Sequence, residues 1–324
     1  MKERLGMRTV ACDNIDKLVC VEMRRKGLPV GFKTVLYDKA RDRSDRPLVQ
    51  AAAELLNVSP ARIGIVTGAA VPDHMPVGEN DGPFGATVLA EALSRIGHDV
   101  SIYTDAVCAP PIERLVERRE LAVPVVSLRF NDRGEQERIA QEQDILVAIE
   151  RLGGNANGSL HGINANCRDA FRCNVDHLFR THAGSGRASL AIGDGGNEIG
   201  FGKTSDDLVA AAAELAQVDK TGSASGIFST VETSVLVVAN TSNLGAYGVV
   251  AALAILREDL SLCHTPEEET ALHHVGVGLG LTDGATGRRI PVCDGVPAEA
   301  NAAVVLLLRN IVDRALAPPL VREF

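Results

Sequence analysis

The 324-residue sequence predicts an α/β fold: a three-layer α/β/α arrangement with a mostly parallel sheet and an N-terminal helical extension. Two observations lead there. Short apolar runs ending in Gly, Asp or Asn alternate with longer segments of helical spacing, the mark of β-loop-α units. Residues 63–68 are a short apolar run ending in Gly, as a strand buried in a parallel sheet is. With 45% apolar residues the chain holds ample material for one core.

Residues 1–46 read as the extension. Ile15, Leu18, Val19 and Glu22 fall at helical spacing, and Gly27 and Pro29 end that helix. A second helix over 47–57 opens on Pro47, with Leu48, Ala51, Ala52 and Leu55 on one face. Residues 63–68 form a buried strand. A loop rich in Pro, Gly and Asp follows over 69–82. Pro83 suits the first position of an amphipathic helix over 86–96, which Gly97 stops. Further strands are expected at 100–105, 123–130, 145–151 and 188–192. A helix over 205–218 is capped by Ser205, with Asp206 and Asp207 complementing its dipole. The tail brings a strand at 235–239, a helix at 245–256, a short helix around Glu267, Glu268 and Glu269, and a helix at 298–316. No repeat or linker divides the chain, so one domain over 1–324 is expected.

A net charge of −9 and a pI near 5.4 argue against nucleic acid, which needs a basic face. The absence of Trp and 3% aromatic content argue against base-stacking platforms. No window has the ~20 apolar residues that span a bilayer, and no secretory leader opens the sequence. Seven Cys without a C-x-x-C pair read as reduced thiols. A cytoplasmic protein with a small-molecule substrate and no membrane or nucleic-acid partner is expected; a homo-oligomer is left open.

Ligands of open parallel sheets sit beyond the carboxyl ends of the strands, and four loops there carry unusual chemistry. Glu79-Asn80-Asp81-Gly82-Pro83 precedes a helix: Asp81 is either its N-cap or, with Glu79, a metal or substrate ligand. Asp105 ends a strand and is either a turn former or a ligand. The third loop, Gly193-Asp194-Gly195-Gly196-Asn197-Glu198-Ile199-Gly200, is too glycine-rich for helix or strand. Its glycines let backbone approach a ligand, while Asp194, Glu198 and Asn197 offer the oxygen donors that hard divalent cations take. Neither phosphate motif fits: the dinucleotide fingerprint would need Gly at Glu198, and the P-loop through Gly202-Lys203-Thr204 would need Gly at Asn197. In the fourth loop, Ser242 and Asn243 either cap a helix or, with Gly245 at its start, grip a carboxylate. His161, His177 and His182 form no zinc-type pair.

Taken together, ENDGPFGA at 79–86, Tyr103-Thr104-Asp105, Ala148-Ile149-Glu150-Arg151, GDGGNEIGFGK at 193–203, TSNLGAYG at 241–248, Thr282-Asp283-Gly284 and Cys293-Asp294-Gly295 resemble the D-glutamate cyclase C-terminal-domain-like family, from about residue 50 onward. The chain departs from the pattern at Phe84, Phe201 and Leu244. The resemblance implies a hydro-lyase that converts D-glutamate, or a related amino acid, to 5-oxo-D-proline with loss of water. It also implies a divalent cation, manganese foremost and magnesium as the alternative.

Such a reaction needs a cation on Asp194, Glu198 and Asp81 or Asp105. It needs a base, for which Glu198 and Glu79 are candidates. Lys203 or Arg151, with the helix start at Gly245, would hold the α-carboxylate, and Gly195, Gly196, Asn197, Ser242 and Asn243 would line the substrate. The same acidic loops also suit a metal-dependent hydrolase of a small anion such as a phosphoester. A non-catalytic small-ligand sensor is the third reading.

Overall fold

A computed structural model describes residues 2–24, 28–212, 215 and 225–318. Its centre is a six-stranded parallel sheet: β1 (Arg62–Val66), β2 (Asp99–Asp105), β3 (Val125–Leu128), β4 (Ile145–Ile149), β5 (Ser189–Gly193) and β6 (Val235–Val238). The spatial order is β3-β2-β1-β4-β5-β6, with every neighbouring pair parallel. β4 and β5 are buried from end to end, as their unbroken apolar runs require. The chain leaves β1 toward β2 and later returns to the other side of β1 as β4. This reversal opens a crevice at the strands' carboxyl ends, where an open α/β sheet binds its ligand.

Helices cover the sheet: α1 (Lys2–Val19), α2 (Phe32–Arg41), α3 (Leu48–Leu56), α4 (Pro83–Arg95), α5 (Ala109–Arg118), α6 (Arg133–Glu142), α7 (Asp176–Gly184), α8 (Ser205–Ala211), α9 (Ser242–Arg257), α10 (Pro266–Gly278) and α11 (Ala298–Leu316). A short antiparallel pair, β7 (Val292–Cys293) and β8 (Val296–Pro297), stands apart. Among the described residues no helix is long and apolar enough to cross a membrane.

Three sequence expectations need correction. The helix at 83–95 is not amphipathic: all its residues from Pro83 to Leu93 are buried. The helix expected at 245–256 begins at Ser242 and is buried along nearly its whole length, between the sheet and the outer helices. Small residues permit this, since a Cβ on Gly248 would stand 3.1–3.2 Å from Val19, Ile15 and Val49. The helix expected at 205–218 runs to Ala211 and follows Thr204, not Ser205, as cap; beyond Ala212 its remainder, save residue 215, lies outside the described residues. The sequence reading also passed over α5, α6 and α7.

The N-terminal extension is part of the core. Cys12, Ile15 and Val19 of α1 are fully buried in the same apolar cluster as α3 and α9. Asp16 ties the two parts together: its carboxylate accepts the first N–H groups of α3, from Leu48 at 2.7 Å and Val49 at 3.0 Å.

Candidate active site

The loops after β1 and β6 clasp each other through reciprocal caps. Asp81 accepts N–H bonds from Ser242 (3.0 Å) and Asn243 (2.8 Å) at the start of α9. Asn243 in return accepts from Gly82 (2.9 Å) and Gly85 (2.7 Å) at the start of α4, and its amide donates to the Asn80 carbonyl. Each side chain therefore satisfies the orphan donors of the other's helix. This fixes the two loops against each other beside the crevice.

Two groups of carboxylates meet in that crevice. Oxygens of Asp81, Asp194 and Asp294 lie within 4.8 Å of one another, as do those of Glu150, Asp194 and Glu198. Asp194 belongs to both. The Asp194 loop is shaped by Glu198, whose Oε1 accepts N–H bonds from Asp194 and Gly195, both at 2.8 Å, while its buried Oε2 has no partner. Gly196 takes φ +93°, which lets the loop turn where a side chain would be strained. Ser242 donates its hydroxyl to Glu150 at 2.6 Å. Glu150 (φ +50°) and Asp294 (φ +51°) are non-glycine residues held in the left-handed region, a conformation that persists only where the surroundings impose it. At Gly284 a Cβ would fall 2.0 Å from a Glu79 oxygen and 2.4 Å from an Asp294 oxygen, so only glycine fits between these acids.

Three cations answer the acids directly or at close range. Arg24, in the segment after α1, bridges Asp194 and Asp294. Lys33 of α2 reaches Asp194 Oδ2 at 2.9 Å and also donates to its carbonyl. Arg172 lines the same cavity. Burial works to raise the Asp194 carboxyl, but Arg24 and Lys33 overcome it and hold it below the ordinary range. The others go the opposite way. Burial first, and then neighbouring carboxylates, push Glu79, Asp81, Glu150 and Glu198 upward. Burial also raises Asp294, against the pull of Arg24.

A cavity of about 150 Å³ opens over this floor, lined by Glu79, Glu150, Asp194, Asp294, Arg24 and Arg172 among others. A larger groove of about 950 Å³ between α1 and α11 is apolar and holds no such cluster, so the chemistry belongs to the smaller one.

The expected site residues divide. Asp194, Glu198, Asp81 and Glu79 converge, and Gly195 and Asn197 line the cavity. Gly196 backs the loop against Phe228. Asp105 does not join them: both its oxygens accept from Arg151 at 2.9 Å, a bidentate buried pair that commits both residues to each other. Lys203 points away, its ammonium donating to the Ser234 carbonyl at the surface. The α9 start serves Asp81 instead of a free carboxylate, and Gly245 is small because a Cβ there would meet Ile192 at 2.5 Å. Ser242 and Asn243 are clasp residues by the same geometry.

Sequence reasoning missed Arg24, Lys33, Glu150, Arg172 and Asp294. Glu150 and Asp294 sat in motifs already singled out, and their place directly after a strand and a cysteine was the available signal. Arg24 and Lys33 gave none, because they come from the extension. Phe84, Phe201 and Leu244, where the chain departs from the family pattern, are fully buried and do not line the cavity. They are packing substitutions.

Residues 18–309 match the family described as D-glutamate cyclase-like, C-terminal. Among curated proteins, the D-glutamate cyclase, mitochondrial, of Homo sapiens is 29% identical over 208 residues, which is 57% of this chain and 31% of that protein. This chain thus matches less than a third of that relative's length. Among solved structures, a ketone-specific alcohol dehydrogenase from Comamonas testosteroni is 15% identical over 49% of this chain and 69% of its own, with a TM-score of 0.28. The E. coli tRNA N6-threonylcarbamoyladenosine dehydratase in complex with AMP is 13% identical over 71% and 96%, with a TM-score of 0.27. Neither score supports an argument about fold or activity.

Proposed function

The chain belongs to the D-glutamate cyclase-like family, and on that premise we propose that it is a metal-dependent hydro-lyase that cyclises D-glutamate, or a closely related amino acid, to 5-oxo-D-proline with loss of water. One observation carries the reading: two carboxylate triples share Asp194 in the wall of an amino-acid-sized cavity, and one keeps a buried oxygen, Glu198 Oε2, without a partner.

The donor set fits a divalent cation. Counting the acids of the triples and the lining, six carboxylates face Arg24, Lys33, Arg168 and Arg172. That is an excess of two negative charges when all are ionised. All the donors are hard oxygens, the choice of manganese and magnesium. Glu150, Asp194 and Glu198 would hold the ion, because Arg24 already bridges the other triple. When bound, the cation supplies Lewis-acid polarisation of a substrate oxygen.

The chain's own residues supply the rest. Ring closure forms a bond from the α-nitrogen to the δ-carbon, the carbon of the side-chain carboxyl, and breaks one of its carbon–oxygen bonds; that oxygen leaves as water with the two protons that the ammonium gives up. Glu79, buried and with no side-chain hydrogen bond among the described residues, is placed to take protons from the amine and pass them to the departing oxygen. Lys33 and Arg24 offset charge at Asp194. A cavity of this size that holds the substrate folded supplies much of the entropic advantage. Free cysteines throughout support a reducing, cytoplasmic setting.

The test is conversion of D-glutamate to 5-oxoproline by protein loaded with Mn2+ or Mg2+. Turnover is expected to stop on chelation, and Asp194→Asn is expected to lower kcat/KM at least ~100-fold. Metal-loaded protein that leaves D-glutamate unchanged would refute the reading.

A further inference from the structure

Two buried arginines stand at the carboxyl end of the sheet. Arg151 has both terminal nitrogens engaged: they hold Asp105 and also donate to the carbonyls of Cys173 (2.6 Å) and Gly68 (3.2 Å). Arg172 is 5% exposed, yet only its Nε is engaged, donating to the Ala70 carbonyl at 3.0 Å. Its terminal nitrogens make no hydrogen bond or ion pair with the described residues. That single bond fixes the plane of the guanidinium, and the residue lines the cavity. Glu79 lines the same cavity and likewise has no side-chain partner among the described residues. The two do not pair with each other. Arg168 stands beside them, half-buried, with only a long contact to Asn164 at 3.4 Å and its guanidinium carbon 5.9 Å from the Phe171 ring centre.

A guanidinium withdrawn from water without an acid is costly unless something else supplies one. Its planar fork matches a carboxylate. An acid and a base that line one cavity and leave each other unpaired match a zwitterion. The volume of about 150 Å³ equals only about five molecules of liquid water, well under the ~300 Å³ lower end for drug-sized ligands.

We propose that Arg172, assisted by Arg168, is the carboxylate anchor of an α-amino-acid site, with the ligand's ammonium against Glu79. Resting on the cyclase reading, this places the α-carboxylate of D-glutamate on Arg172 and leaves its side-chain carboxyl for the Asp194 end. Arg172 is thereby the residue that selects α-amino acids over simple amines.

The test is ligand binding by calorimetry and by thermal shift, on Mn2+-loaded wild-type protein and on Arg172→Gln. The probes are D-glutamate and 4-aminobutyrate, which is glutamate without its α-carboxylate. Wild-type protein should bind D-glutamate and bind 4-aminobutyrate at least ~30-fold more weakly. Arg172→Gln should lose D-glutamate affinity by a similar factor and no longer distinguish the probes. Arg172→Lys, which keeps the charge but not the fork, should fall between. If Arg172→Gln does not fold, the half-buried Arg168→Gln carries the same test with an expected ~5-fold loss. Equal D-glutamate affinity in wild type and Arg172→Gln would overturn the anchor while leaving cyclisation standing. Binding of D-glutamate without conversion would refute the cyclase reading and support the anchor. Wild-type protein that binds neither probe, or both equally, would overturn the anchor.

Discussion

Glu150 and Arg151 are consecutive residues, yet they enter two clusters built on opposite rules. Arg151 turns into a balanced cluster, where one guanidinium meets one carboxylate, Asp105, and backbone groups bond both partners further. Glu150, held at positive φ, turns the other way into a cluster where carboxylates outnumber cations and Glu198 Oε2 is left without a partner. Burial is similar in the two. Charge balance is what differs. A balanced buried cluster is what stability alone would select, because every group withdrawn from water is repaid locally. An unbalanced one keeps its groups available for something that is not part of the chain.

The largest effect expected from this contrast is on stability, and it falls on the balanced side. Arg151→Met leaves Asp105 buried with no counter-ion and should cost about 3–5 kcal/mol in unfolding free energy, read by urea denaturation. Adding Asp105→Asn should return part of that loss, since the stranded charge is then gone. If Arg151→Met abolished D-glutamate turnover at unchanged stability, the division into balanced and unbalanced clusters would be wrong at its clearest point.

The two clusters were unequally legible in the sequence. The glycine-dense 193–200 loop announced its carboxylates, because residues of that kind in that density suit neither helix nor strand. β1, β4 and β6 were legible as mainly apolar runs, as burial on both faces of a parallel sheet dictates. What could not be read was convergence. Arg24 and Lys33 lie more than 160 positions from Asp194, and nothing local in a helix-and-turn segment marks a lysine that will be buried. Asp105 and Arg151 were visible as a strand-end acid and a strand-end base. Their register in the sheet, with β2 and β4 flanking β1, turned them toward each other and away from the ligand. Asp81 shows the same limit from another side: an Asp two residues before a helix reads as its cap, but it caps a different helix.

A buried carboxylate outside both clusters sharpens the comparison through pH. Glu269 is buried between two histidines, with His264 Nε2 at 3.0 Å and His273 Nε2 at 3.1 Å from its oxygens. Burial by itself would raise this carboxyl, but the two hydrogen bonds win and hold it down to about 2. A depressed folded pKa contributes stability that is present above the unfolded value, near 4.5, and lost as pH falls toward 2. The loss over that window should be about 3 kcal/mol. Denaturation midpoints between pH 6 and 3 should therefore fall more steeply in the wild type than in Glu269→Gln, which cannot take up that proton. Parallel curves would show that this cluster contributes nothing to acid stability.

The smallest effect belongs to the residue that motif reading placed nearest the chemistry. Lys203 follows the glycine loop directly, and a lysine after glycines invites a role in gripping an anion. Its ammonium instead meets the Ser234 carbonyl at 3.2 Å in an exposed position, belonging to neither cluster. A single exposed hydrogen bond of this kind is worth little, because water replaces it at small cost. Lys203→Gln should therefore change unfolding free energy by less than about 0.5 kcal/mol and leave KM and kcat for D-glutamate within about twofold. A tenfold rise in KM would mean that the loop moves on binding and brings Lys203 over the cavity. The anchor role assigned to Arg172 would then be shared with a residue whose ammonium now bonds the Ser234 carbonyl.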